Sequence, residues 1–169
     1  MLIATERLEL LAATPDSLKA AIDNVPRMGK LLDAAIARGW PPELLDDDAL
    51  RWTLAKLEDP ANPREWWLYW IVLREPRTLI GTAGFKGPPV DGTVEVGYGI
   101  VAEHKRRGYA AEATQGLIDF AFSHSTVERV IAETYPELIA SIGVMTKCGM
   151  RFLGDGSEPG VIRYGIDKP

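Results

Sequence analysis

Apolar residues change their spacing along this chain, and each change marks an element. Leu8 and Leu10 alternate with Arg7 and Glu9, which predicts a first strand over 7–11. Thr14-Pro15-Asp16 then supplies a helix start, with Thr14 as the cap, Pro15 in the first turn and Asp16 suited to the positive end of the dipole. Leu18, Ala21, Ile22 and Val25 follow at helical spacing until Pro26 interrupts. Met28, Leu31, Leu32, Ala35 and Ile36 predict a second helix, closing at Gly39. Trp40-Pro41-Pro42 reads as a stiff connector. Asp46-Asp47-Asp48 opens a third helix carrying Leu50, Leu54 and Leu57 and stopping near Pro60. That acidic run suits a helix N-terminus better than a metal.

From Trp66 the period becomes two. Trp66, Leu68, Trp70 and Val72 share one face and Trp67, Tyr69, Ile71 and Leu73 the other, so a central strand covered on both sides is expected. Turns at 75–78 and 87–92 lead into strands over 79–85 and 93–101, which complete an antiparallel meander. A helix over 108–122, a strand over 127–134 and a helix over 136–147 follow, the last ended by Gly149. Segments 151–153 and 161–166 read as a closing hairpin. This order predicts a mixed α/β fold, one sheet with helices on both faces.

Composition narrows the class. A chain of 169 residues, 46% hydrophobic and 25% charged, is expected to form one globular domain over 1–169. A net charge of −5 disfavours nucleic-acid binding and suits a cationic amine without requiring one. The single cysteine, Cys148, excludes an internal disulfide and a multi-cysteine metal site, and fits a reducing cytoplasm. Glu6 and Arg7 interrupt the apolar N-terminal stretch, against a signal peptide, and no apolar run reaches the ~18 residues of a membrane span. No metal and no membrane partner are expected.

The chemistry concentrates in 95–113. Alternation places Val94, Val96, Tyr98 and Ile100 on one strand face and Glu95, Gly97 and Gly99 on the other. Two glycines on one face either let a ligand approach the backbone or accommodate a bulge. His104-Lys105-Arg106-Arg107-Gly108-Tyr109-Ala110 then enters a helix with Glu112 in its first turn. Helix-start amides preceded by glycine and three basic residues suit a pyrophosphate, with no GxxxxGK[ST] or GxGxxG spacing present.

Lys105, Gly108 and Ala110 match the Q/R-x-x-G-x-G/A loop of the GNAT N-acetyltransferase family, with lysine at its first position. EVGYGIVAEHKRRGYAAEA closely resembles that family's strand, loop and helix start, and ASIGVMTKCGM resembles its A-S-x-x-V-x-E-K-x-G-F pattern. TERLEL and IGTAGF extend the match over nearly the whole chain, nearest the branch of ribosomal-protein N-terminal acetyltransferases. The resemblance implies a mostly antiparallel twisted sheet with a splay between two strands, where acetyl-CoA binds. Residues 65–169 would form the cofactor-binding core and 1–60 the acceptor side. Ile100 and Val101 would contact the pantetheine arm, and Lys105, Arg106, Arg107, Gly108, Tyr109 and Ala110 the pyrophosphate. An amide near Ile100 could stabilise the oxyanion.

The implied reaction is direct transfer of acetyl from acetyl-CoA to a primary amine of a small molecule or a protein N-terminus. The alternative is a non-catalytic acyl-CoA sensor or scaffold. Glu95, on the glycine face, is the first candidate for general base, and Glu65 the second; the structural alternative for Glu95 is an ion pair with Lys86. Where many relatives carry a proton-donating tyrosine this chain has Met145, and where they carry an asparagine anchor for CoA it has Leu138. Ser141 is the implied CoA contact or proton donor, unless its hydroxyl bonds its own helix backbone. Cys148 is not expected to be a nucleophile. His104 and His124 are expected at the surface or as caps, and Trp40 in the acceptor pocket. A homodimer is compatible with these features.

Overall fold

The computed structural model describes residues 1–169. Nine strands form one sheet, in the order β1 (Leu2–Ala4), β2 (Leu8–Ala12), β4 (Leu68–Leu73), β5 (Thr78–Phe85), β6 (Thr93–Ile100), β7 (Arg129–Thr134), β9 (Ile162–Asp167), β8 (Arg151–Asp155), with the short β3 (Ala35–Ile36) paired to β5. All neighbours are antiparallel except β6 with β7 and β3 with β5.

Helices cover both faces. α1 (Pro15–Asp23), α2 (Val25–Leu32) and α3 (Asp47–Glu58) pack Leu18, Met28, Leu32, Leu50 and Leu57 against Trp70, Val72 and Leu79. α4 (Tyr109–Phe122) and α5 (Ile139–Lys147) pack Ala113, Leu117, Ile118 and Met145 against Tyr69, Ile71, Val94, Val96 and Ile100. Each fully buried side chain of this size contributes about 1.5–3 kcal/mol.

The local signals for α1 and α3 act as expected. Thr14 caps α1 and forms a reciprocal box with Ser17, whose hydroxyl also accepts the buried Trp70 indole N–H at 2.9 Å. Asp46 caps α3 through the amide of Ala49 at 2.8 Å.

Four expectations are corrected. β1 is an additional strand, held by register with β2. The second helix ends at Leu32 instead of Gly39. Asp33 turns left-handed there (φ 48), and Ala35 donates to the Arg77 carbonyl at 3.1 Å, so β5 claims this segment as a strand. Trp66 and Trp67 exchange faces, because Arg64–Trp66 is a 3-10 turn that breaks the alternation before β4 begins. α5 starts at Ile139, after a turn through Pro136 and Glu137.

β6 and β7 part company within the sheet. They pair only at Thr93–Arg129, Val94–Val130 and Glu95–Ile131, and then diverge, while β6 stays bonded to β5 as far as Ile100. The resulting gap is the expected splay, opening from Glu95 toward the N-terminus of α4.

Candidate active site

Backbone alternation decides what faces the gap. The Glu95 carbonyl accepts from the Lys86 amide at 3.0 Å and the Val101 amide donates to the Ile80 carbonyl at 2.9 Å, so these residues spend backbone groups on the β5 side. By the two-residue period, the N–H and C=O groups of Tyr98 and Ile100 point the other way, into the splay, beyond Val96, whose N–H still serves the last pairing with β7. An extended acyl-chain amide can add there as a strand does. Val101, also expected to contact the pantetheine arm, has its amide bonded to Ile80, its carbonyl accepting from His104 at 3.0 Å, and its side chain buried.

The loop at the open end is a fan of unbonded amides. The first α4 amide with a backbone acceptor is Glu112, bonded to Gly108 at 3.0 Å; the N–H groups of Arg106 through Ala111 have none. Arg106 (φ 62) and Gly108 (φ 80) are left-handed, and turns of this kind gather successive amides into a concave anion site. The positive end of the α4 dipole adds to the attraction. Lys105 differs from its neighbours. Its amide bonds Ala102 at 3.2 Å, and its ammonium pairs with Glu43 at 3.3 Å.

Arg7 braces this loop, a role the sequence pattern did not reveal. Its Nε donates to Glu112 Oε2 at 2.7 Å, its amide to Oε1 at 2.7 Å, and its Nη1 to the Arg107 carbonyl at 3.0 Å, with the guanidinium 4.5 Å above the Tyr109 ring. Thr5 adds a hydroxyl to the same carboxylate at 2.6 Å. Burial pushes the Glu112 carboxyl upward, but the Thr5 and Arg7 hydrogen bonds outweigh it and hold the group below the ordinary glutamate value. Tyr109 thus contributes a buried ring to the scaffold and an amide to the loop.

On the other face of β6, a side chain at Gly97 would meet nothing, whereas one at Gly99 would touch Pro42 at 3.3 Å. The connector 40–43 therefore overhangs Gly99 and leaves an opening above Gly97, flanked by Glu95. Trp40 lies at the root of that connector, half-buried and with its ring 6.2 Å from Trp70. Glu95 ion-pairs with Lys86, the partner foreseen for it. Glu65 lies in the 3-10 turn before β4, its carbonyl accepting the Tyr69 hydroxyl at 2.9 Å.

Ser141 sits in the first turn of α5, at the β7 margin of the splay. Its hydroxyl lies 3.2 Å from the Tyr98 hydroxyl, which also donates to the Ser141 carbonyl at 3.0 Å. The tyrosine was foreseen only as a member of the apolar strand face; the clue was its phenol, which needs a polar partner when buried. Met145 is buried in the core, and Leu138 is exposed at the start of α5.

The remaining candidates fall away from the chemistry. Cys148 is buried, its Sγ donates to the Ala111 carbonyl at 3.3 Å, and burial pushes its thiol up to about 11. A thiol so rarely ionised is a poor nucleophile. His124 closes the end of α4 through the Phe120 carbonyl at 3.0 Å and packs on Trp66. His104 is not at the surface: its ring is only 14% exposed, and its Nδ1 is buried without a hydrogen bond, 3.6 Å from Glu103. No group of three or more His, Cys, Asp or Glu could hold a metal ion, and no helix is long and apolar enough to cross a membrane. A groove of about 520 Å³ between β1 and α4 contains none of the splay residues.

Known proteins resemble this chain in sequence and in fold. Two Bacillus subtilis (strain 168) proteins described as uncharacterized N-acetyltransferases, YnaD and YjdG, are 36% identical over 81 residues and 34% identical over 82, covering 48% and 47% of this chain. The chain spans about half the length of these curated relatives, 48% and 49%. A GNAT acetyltransferase structure from Bacillus anthracis superposes with a TM-score of 0.69 at 23% identity, covering 99% of both chains. The structure of RimL, described as a ribosomal L7/L12 alpha-N-protein acetyltransferase in complex with coenzyme A, gives 0.69 at 18% identity over 99% of this chain and 98% of that one. At such identities the likeness is one of fold. The model of the acetyltransferase (GNAT) domain matches residues 7–151, and the chain therefore belongs to the GNAT acetyltransferase family.

Proposed function

We propose that this protein transfers the acetyl group of acetyl-CoA directly to a primary amine. The observation that carries the reading is the run of unbonded amides from Arg106 to Ala111 at the end of a strand gap whose backbone groups at Tyr98 and Ile100 face inward. A pyrophosphate suits the first and an amide-bearing arm the second. Ile100 N–H supplies a donor to the thioester carbonyl as it becomes an oxyanion. When acetyl-CoA is bound, it supplies the activated acyl group; the chain positions it and the acceptor.

The acceptor approaches over Gly97. An α-amine, with a pKa near 8, is neutral far more often at physiological pH than a lysine amine near 10.4, and so is easier to use. RimL's description as an alpha-N-protein acetyltransferase makes a protein N-terminus the first acceptor to test, ahead of small amines. Glu95 takes the amine proton, directly or through water, once Lys86 moves aside. Buried Cys148 argues against an acyl-enzyme.

The Lys86–Glu95 ion pair favours a second reading, a non-catalytic acyl-CoA-binding protein, because it occupies the carboxylate that would receive the amine proton. Thiol release from acetyl-CoA across a panel of peptide N-termini, polyamines, amino acids and aminoglycosides separates the two. Amine-dependent thiol release supports transfer. Saturable CoA binding with no release on any amine would establish the sensor instead.

A further inference from the structure

Ser141 is a poor catalyst by itself. A serine in a helix first turn rotates freely among rotamers and has nearby carbonyls to bond. The sulfur leaving a thioester instead needs a hydrogen-bond donor held in one direction. In this chain the residue that holds it comes from β6. The Tyr98 ring lies on the core-facing side of the strand, its hydroxyl reaches both the carbonyl and the hydroxyl of Ser141, and its backbone faces the splay.

The protons available permit two arrangements. When the Tyr98 hydroxyl donates to the Ser141 carbonyl at 3.0 Å, the 3.2 Å contact between the hydroxyls uses the Ser141 proton. When the Tyr98 hydroxyl turns to donate to Ser141 Oγ, the Ser141 proton is released for another acceptor. A sulfur arriving in the splay is such an acceptor. We infer that Tyr98 is the positioning residue that aims the Ser141 hydroxyl at the departing CoA sulfur. This inference rests on the transferase reading above.

Acidity decides what the pair can do. Burial pushes the Tyr98 phenol up to about 12, against a smaller downward pull from Ser141, so it stays protonated across any working pH. A thiol near 8.5 is over a thousandfold stronger as an acid. Neither hydroxyl therefore hands its proton to the thiolate outright. As the tetrahedral adduct collapses, the C–S bond breaks, its electron pair goes to sulfur, and Ser141 Oγ–H bonds to the charge that develops. The proton that finally neutralises the thiolate is the one lost by the attacking amine, returned through solvent. Tyr98 donates to Ser141 Oγ throughout, which strengthens the serine as a donor.

The test is a double-mutant cycle. Tyr98→Phe removes one oxygen from a half-buried ring and should keep the fold, checked by circular dichroism and Tm. Its kcat is expected to fall about tenfold or more, with KM for acetyl-CoA within about twofold of wild type. Ser141→Ala should fall at least as far, and Tyr98→Phe with Ser141→Ala no further than Ser141→Ala alone. Losses that multiply would overturn the positioning role, because Tyr98 would then act without the serine. A raised KM with unchanged kcat would make Tyr98 a binding residue instead. If the wild-type protein releases no thiol with any amine, the transferase reading itself fails, an outcome distinct from multiplicative losses in an active enzyme.

Discussion

Gly108→Ala separates the strain of the anion loop from its chemistry. Gly108 sits at φ 80, and a left-handed backbone costs a residue with a Cβ about 1–2 kcal/mol. The added methyl would lie 3.4 Å from Arg7 Nη2 and 3.4 Å from Lys147 Nζ, the movable ends of long side chains, so crowding adds little. A domain of this size loses about 2–4 °C of Tm per kcal/mol, so the variant should melt roughly 2–8 °C lower. If the loop relieves the strain by leaving the left-handed region, the amides from Arg106 to Ala111 no longer converge. Each hydrogen bond to a charged oxygen contributes about 1.5–3 kcal/mol, and losing two weakens CoA binding roughly a hundredfold or more.

Calorimetric titration with CoA, beside acetyl-pantetheine as a ligand without the pyrophosphate, reads that loss. Only CoA should bind more weakly. Gly160→Ala is the control, since Gly160 is also left-handed (φ 82) and an added Cβ there meets nothing within 4 Å. It should lower Tm comparably and leave the CoA Kd unchanged. CoA binding by Gly108→Ala within about twofold of wild type, or an equal loss for acetyl-pantetheine, would refute a pyrophosphate site at this loop.

Glu95→Gln should lower kcat/KM by about 10²–10⁴-fold and remove the acidic limb of the pH–rate profile; an unchanged profile would exclude Glu95 as the base. Glu112→Gln should cost about 2 kcal/mol, because the carboxylate gathers Thr5 and Arg7 onto α4, and chemical denaturation measures it. Hydrogen bonds hold Glu112, and likewise Glu133 beside Ser157 and Arg163, below the ordinary glutamate value despite burial. Their stabilisation is therefore complete above about pH 4.3 and is lost as pH falls through the lowered folded values, so acid unfolding of Glu112→Gln should show a shallower pH slope. Cys148, with its thiol pushed up to about 11, should react with iodoacetamide at pH 7.5 at least tenfold more slowly than a free thiol. Mass spectrometry after acetyl-CoA addition should find no acetyl-cysteine.

Local chemistry made much of this protein legible from its residues. Thr14 and Asp46 cap helices wherever those helices pack, since a cap bonds an amide a few positions away. The alternation of Val94, Val96 and Ile100 against Glu95, Gly97 and Gly99 survives in β6 because a strand has only two faces. Gly108 and the basic run before it marked the loop through its left-handed turn and helix start. Local pattern failed where a distant segment intervened. Ala35 and Ile36 have helical spacing but pair with β5, and Trp66 and Trp67 exchange faces in a turn whose pitch period two cannot express.

The site's finer parts were decided by long-range pairing alone. Tyr98 and Ser141 are 43 residues apart, and Arg7 and Glu112 are 105 apart. Both contacts follow from which strands lie side by side. The order of the sheet sets β6 beside β7 for three residue pairs and then lets them part, which leaves one hydroxyl from each side of the gap in contact. Periodicity and capping reach only a few residues along the chain. Which side chains meet across the splay depends on the packing of the whole sheet, and that is where the 106–111 loop acquired its brace and Ser141 its partner.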